Sequence, residues 1–190
     1  MNRINVDKTL DAKGLACPMP IVRTKKEMNN LESGQVLEIQ ATDKGSKADL
    51  KAWADSTGHH YIGTVETDGV LIHYIRKSSD ESVIERRHEK IISTIELEQL
   101  VKTTNNIVIV DVREAAEYAF NHIENAVSIP LGELESRLGE LRIEDRIYVV
   151  CRSGNRSDLA AQILVSNEYK NVTNVLPGMS GWSGETVKSI

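Results

Sequence analysis

The chain has 190 residues, 40% of them hydrophobic and 27% charged, with a formal net charge of −5. That length allows one domain or two small ones, each with a modest core. The acidic balance argues against a generic polyanion binder, and no apolar run is long enough to span a bilayer.

The first residues, MNRINVDKTLDAKG, contain no apolar signal core, so a cytoplasmic protein is expected. Residues 6–10 read as a strand. Residues 18–30, PMPIVRTKKEMNN, read as a helix: Pro18 and Pro20 suit its first turn, and Ile21, Lys25 and Met28 continue the period. Residues 35–42, QVLEIQAT, alternate as a strand does. Residues 46–56 form a second helix, with Leu50, Trp53 and Ala54 on one side and Gly58 to stop it. Residues 61–67 and 70–76 flank Asp68-Gly69, a strong hairpin signal. The order β-α-β-α-β-β describes a two-layer α/β sandwich with both helices on one face.

Residues 77–90, KSSDESVIERRHEK, are charged and serine-rich and are expected to link two blocks. The spacing of Ile84, His88 and Ile91 also fits a short helix. A flexible linker of that length would span roughly 20 Å on average and about 50 Å when extended. The expected domains are thus residues 1–76 and 91–190.

The second block predicts helix at 96–103, strand at 107–110, helix at 115–120, strand at 127–129 ended by Pro130, and helix at 131–141. It continues with strand at 147–150, helix at 157–167 with Leu159, Ile163 and Leu164 inward, and strand at 172–175. Continuous β-branched runs such as IVIV and IYVV between helices imply a parallel sheet covered on both faces.

Two cysteines, Cys17 and Cys151, permit one internal disulfide, which a reducing cytoplasm would make transient. There is no C-x-x-C pair and no zinc-like Cys/His spacing, and His59 and His60 stand alone; no metal or other cofactor is expected. Cys151 ends a buried strand and begins CRSGNRS, ahead of a helix. Gly154 and Asn155 tolerate left-handed backbone, so the loop Arg152, Ser153, Gly154, Asn155, Arg156 can curl its amides into an anion-binding nest. Such a place favours a thiolate, and Arg152 and Arg156 add charge or grip an anionic substrate. Cys-x4-Arg is one residue shorter than the phosphatase loop Cys-x5-Arg, which narrows the cradle towards a single sulfur atom carried on the cysteine. Asp111 and Arg113 are expected to pair and fix the loop after their strand, and His122 to be packed and hydrogen-bonded.

Cys17 precedes Pro18 at the start of the first helix, where unpaired amides present partial positive charge. Lys13, Arg23, Lys25 and Lys26 lie nearby in sequence and are expected to add positive potential.

Residues 91–190 resemble a single-domain rhodanese. The likeness is carried by CRSGNRS, by DVRE at 111–114, by NHIENAVSIP at 121–130 and by LPGMSGW at 176–182. Relatives carry Gly-His-Ile-x-Gly-Ala in the third stretch; Asn121 and Glu124 are read here as replacing the two glycines, with altered turns. The resemblance implies that Cys151 takes a sulfane sulfur from a donor such as thiosulfate and holds it as a persulfide, stabilised by the amides of residues 152–156. Residues 11–20, DAKGLACPMP, resemble the signature of the TusA sulfur carriers, which hold a persulfide on the matching cysteine, here Cys17. By the same resemblance Asp11, Gly14, Pro18 and Pro20 shape the motif.

Together these readings make a sulfurtransferase fused to its carrier. Its partners would be a sulfane-sulfur donor (thiosulfate or a low-molecular-weight persulfide) and a thiol or protein sulfur acceptor, with no strong nucleic-acid binding and no membrane. Three readings compete. The first block is similar to the RNA-binding C-terminal domain of translation initiation factor three, which describes an RNA- or protein-binding scaffold module. The second block could be a small phosphatase using Cys151. The two thiols could also form a redox-sensing disulfide.

Overall fold

The computed structural model describes residues 4–79 and 87–190. They form two compact units, one on either side of residues 80–86. That segment, the centre of the expected linker with its Ile84, lies outside the described residues. The flanking stretches belong to their own units. The Lys77 amide donates to Gln35 O at 2.8 Å. The amides of Arg87 and His88 donate to the Asp158 carboxylate at 3.0 and 3.1 Å. Residues 87–90 are not helical, and Ile91 opens a strand.

The first unit runs β1 (Lys8–Ala12), α1 (Met19–Asn29), β2 (Val36–Ala41), α2 (Ser46–Ser56), β3 (His60–Thr67) and β4 (Val70–Arg76). Its sheet has the order β1-β2-β4-β3. The pair β1 and β2 is parallel and the other pairs are antiparallel. The first strand is shifted two residues from the expected 6–10, because its register is set by the parallel pairing of Leu10 with Ile39 and Ala12 with Ala41. Each helix buries residues four apart: Pro20, Thr24 and Met28 on α1, Ser46, Leu50 and Ala54 on α2. Residues i and i+4 share a face, so each helix lays one stripe on the sheet. The stripe of α1 is not the expected Ile21, Lys25 and Met28; Lys25 is exposed. Met28, Leu31, Leu50 and Ala54 pack with Leu10, Leu37, Ile39 and Ile75 in one core. His73 lies opposite Ile39 in this buried layer.

The second unit runs β5 (Ile91–Ser93), α3 (Thr94–Thr103), β6 (Val108–Asp111), α4 (Ala115–Phe120) and β7 (Val127–Ser128). It continues through β8 (Ile147–Val150), α5 (Asn155–Ser166) and β9 (Val172–Leu176). The strands are all parallel, in the order β5-β9-β8-β6-β7. One face carries Val110, Val149 and Val172 against Ala160, Ala161 and Leu164 of α5. The other carries Ile109, Tyr148 and Val175 against Leu97 of α3. The sheet is thus covered on both sides, as its apolar strands require.

Three details differ from the sequence reading. The 131–141 stretch is not an α-helix but two 3-10 segments, Leu131–Glu133 and Glu135–Glu140. Gly132 and Gly139 weaken an α-helix there, and the Tyr169 hydroxyl takes the carbonyls of Leu138 and Leu141 at 2.6 and 3.2 Å. On α5 the buried apolar positions are the small Ala160 and Ala161 with Leu164, while Leu159 and Ile163 are half-buried. In the stretch NHIENA, the residue with left-handed backbone is Asn125, at φ 63°, so Asn125 and not Glu124 takes the place of the second glycine.

Candidate functional site

Cys151 stands directly after β8, the central strand of the parallel sheet. Ligands of such sheets bind at the carboxyl ends of strands. The chain then turns at Gly154, whose φ of 94° requires a residue free of Cβ strain, and enters α5 at Asn155. This turn aims two donors at the sulfur: the Gly154 N–H at 3.1 Å and the Ser157 hydroxyl at 3.3 Å from Sγ. The Ser157 Oγ also lies 2.6 Å from Asn174 Oδ1, and Asn174 Nδ2 donates to Gly154 O at 3.1 Å. Cys151, Ser157 and Asn174 are all fully buried.

The loop is held from above by the segment after β9. The amides of Met179 and Ser180 donate to the carbonyls of Cys151 and Arg152 at 2.8 and 2.9 Å. In the loop itself Arg152 is exposed, while Ser153 and Asn155 are half-buried. Arg156 departs from the expected role. It is buried and makes a two-pronged pair with Glu117 of α4, Nη1 to Oε2 at 2.8 Å and Nη2 to Oε1 at 3.2 Å. Its charge is answered by Glu117, with Glu114 3.7 Å away. Of the two loop arginines, Arg152 is the exposed one.

Asp111 and Arg113 pair as expected, Nη2 to Oδ2 at 2.6 Å, and both are buried. Arg113 also donates to Asn121 Oδ1 at 3.2 Å and Asn121 O at 2.6 Å, which fixes the turn at Asn121. His122 is packed: its ring stacks on Tyr118 at 3.6 Å and its Nδ1 donates to Tyr118 O at 2.8 Å.

In the first unit, Cys17 is exposed. The Lys13 amide donates to Asp11 Oδ1 at 3.0 Å and the Gly14 amide to Thr42 Oγ1 at 2.9 Å, with Gly14 at φ 74°. That turn delivers the thiol to the start of α1, where Pro18 is the cap and Pro20 is buried in the second helical position. The charge around the thiol is the reverse of the expected one. Partial desolvation, the charge of Asp49, a hydrogen bond with that carboxylate and the charge of Asp43 hold the Cys17 thiol above its ordinary pKa. Both carboxylates converge beside Gly45, from the loop after β2 and the first turn of α2.

Sequence reasoning missed Ser157, Asn174, Glu117, Asp43 and Asp49. A signal existed for Asn174: it is the amide in the apolar strand VTNVL, and a buried polar side chain needs a partner. Asp43 and Asp49 reach Cys17 only through the fold.

Residues 8–77 match the family described as sulfurtransferase TusA, and residues 93–185 match the rhodanese-like domain. Over 177 residues, 93% of this chain and 96% of the other, the sequence is 51% identical to the Bacillus subtilis (strain 168) protein named "Putative sulfur carrier protein YrkF". Over 72 residues, 38% of this chain and 95% of the other, it is 47% identical to the sulfur carrier protein TusA of Allochromatium vinosum. The solution structure of the rhodanese-like domain of the Anabaena sp. protein Alr3790 superposes with a TM-score of 0.50 at 24% identity. It covers 53% of this chain and 80% of that one, a likeness of fold. The chain belongs to the family that joins a TusA sulfur-carrier domain to a rhodanese-like domain, and its function is sulfur transfer. Among the described residues no helix is long and apolar enough to cross a membrane.

Proposed function

We propose, with that family membership as premise, that Cys151 accepts a sulfane sulfur and passes it to Cys17 for delivery to a thiol or protein acceptor. The unit before residues 80–86 acts as the carrier and the unit after them as the sulfurtransferase. The observation that carries the reading is the pair of donors, Gly154 N–H and Ser157 O–H, aimed at Sγ of Cys151 at the carboxyl end of β8.

With thiosulfate, the Cys151 thiolate attacks the outer sulfur, the S–S bond of the donor breaks, and sulfite leaves with the bonding pair. A low-molecular-weight persulfide would react in the same way and leave as its thiolate. The exposed Arg152 attracts either anion. The outer sulfur of the Cys151 persulfide takes a proton from solvent; the Cys17 thiolate then attacks that sulfur, the S–S bond breaks, and Cys151 leaves as a thiolate. A thiol of raised pKa is a strong nucleophile once ionised. Both cysteines are on one chain, which allows this step to be intramolecular.

The test is mass spectrometry of each cysteine peptide after loading with thiosulfate, in the wild type and in Cys17→Ser and Cys151→Ser. The expected result is sulfur on both cysteines of the wild type, on Cys151 in Cys17→Ser, and on neither in Cys151→Ser. Sulfur on Cys17 of Cys151→Ser at the wild-type level would overturn the order of transfer.

A further inference from the structure

We infer that the Ser157 hydroxyl is a two-position proton switch for Cys151, with Asn174 as the acceptor on which its proton is parked when the sulfur is neutral. The inference deepens the sulfur-transfer reading and rests on Cys151 being the reacting thiol.

A hydroxyl has one proton to donate and lone pairs to accept with. Ser157 Oγ has two neighbours that compete for that proton: Asn174 Oδ1 at 2.6 Å and Cys151 Sγ at 3.3 Å. The amide of Asn174 cannot be reversed at low cost. Its Nδ2 donates to Gly154 O at 3.1 Å, and turning it round would set two carbonyl oxygens against each other. Its Oδ1 therefore faces Ser157 as a fixed acceptor. The three side chains are fully buried, which keeps bulk water from competing for that proton.

Two states follow. With Cys151 as a thiol, S–H donates to Ser157 Oγ, and Ser157 O–H donates to Asn174 Oδ1, so every group is used. With Cys151 as a thiolate, the sulfur needs donors. Gly154 N–H supplies one, and Ser157 supplies a second only by rotating its proton off Asn174. The same rotation serves transfer. While the sulfur is carried, Sγ is bonded on both sides and holds no charge, so the Ser157 hydroxyl goes on donating to Asn174 Oδ1. When Cys17 takes the outer sulfur, the S–S bond breaks and its electron pair returns to Sγ, and Ser157 turns to meet it. No proton is lost or gained by the protein in that step. Ser157 touches the reacting atom; Asn174 acts through Ser157 and is a positioning residue.

The charged groups near the site are accounted for otherwise. Arg156 is paired with Glu117 and Asp111 with Arg113, while Asp158 holds the amides of Arg87 and His88; Arg152 is exposed. All are common to every variant of the test, so differences within the set isolate the switch.

The experiment uses the full chain with Cys17→Ser, which leaves Cys151 as its one thiol. The pH midpoint of alkylation by iodoacetamide, and of the thiolate absorbance, is measured for Ser157→Ala, Asn174→Ala and the double variant. Ser157→Ala is expected to raise the midpoint by about one pH unit, a tenfold drop in thiolate at a fixed lower pH. Asn174→Ala is expected to lower it, because the freed hydroxyl can stay on sulfur, and to change little once Ser157 is absent. A purely structural role predicts that both single variants move the midpoint the same way and that their effects add. That outcome, or an unmoved midpoint in Ser157→Ala, overturns the switch. If Asn174→Ala does not fold, Asn174→Val, which suits a strand and carries no acceptor, takes its place in the cycle. Loading of the same proteins with thiosulfate tests the other reading independently. A chain that shows the opposed shifts but never carries sulfur on Cys151 keeps the switch and loses the sulfur-accepting role.

Discussion

Gly178 presses against the active loop: a Cβ on it would stand 2.3 Å from the carbonyl oxygen of Cys151 and 3.0 Å from that of Arg152. Its φ of 81° is a second reason for glycine. Gly178→Ala must therefore displace the loop or strain its own backbone. We expect a loss of about 1–3 kcal/mol in stability and a larger loss in the loading of Cys151. Chemical denaturation together with the thiosulfate assay separates the two effects.

The two loop arginines are predicted to fail in different ways. Arg156→Gln leaves Glu117 buried without its cation, and breaking such a pair costs about 3–5 kcal/mol. Arg152→Ala removes an exposed cation and should change stability by less than about 0.5 kcal/mol. It should instead slow loading by thiosulfate, and the difference from wild type should shrink as salt screens the charge. Loss of stability in Arg152→Ala, or none in Arg156→Gln, would contradict the geometry.

Asp49→Asn removes a charge and a charged hydrogen-bond acceptor beside Cys17. In a Cys151→Ser background the Cys17 thiol should ionise at lower pH, and alkylation near neutral pH should speed up several-fold. Asp43→Asn should act in the same direction and more weakly, since it contributes charge alone. Slower alkylation in either variant would show that these carboxylates do not govern the thiol.

His73 gives the first unit a dependence on acid. Its ring nitrogens meet Ser46 Oγ and Tyr61 Oη, each at 2.9 Å, and Thr64 Oγ1 at 2.9 Å. Burial, with a smaller contribution from Lys47, lowers its pKa from 6.5 to about 4. The unfolded chain binds the proton more readily, so this contribution is present above about pH 6.5 and is lost as pH falls towards about 4. The full loss is roughly 3 kcal/mol. Urea midpoints of the full chain should fall across that window, and His73→Gln should flatten this part of the slope. An equal slope in both proteins would remove His73 as the cause.

Much of the architecture was legible because it depends on local chemistry. The short β-branched runs IVIV and IYVV, set between helices, read as buried strands from their own residues. Asp68-Gly69 makes its hairpin with both residues at positive φ. The three-residue β5 was not legible, since only its pairing with β9 distinguishes it from the linker before it. The start of β1 was misplaced for the same reason: register is a property of two strands, not of one.

The sequence by itself determined that there are two cysteine motifs, each just before a helix, and the order of elements that carries them. Local spacing, glycine placement and apolar runs are enough for that. The tertiary structure decided the electrostatics of each thiol. It set Asp49 and Asp43 beside Cys17, where the nearby lysines had suggested the opposite sign. It answered Arg156 with Glu117 and brought Asn174 to Ser157 under Cys151. Coulombic and hydrogen-bond energies fall with distance in space and are blind to distance along the chain, so the partners of each sulfur appear only once the strands and helices have packed.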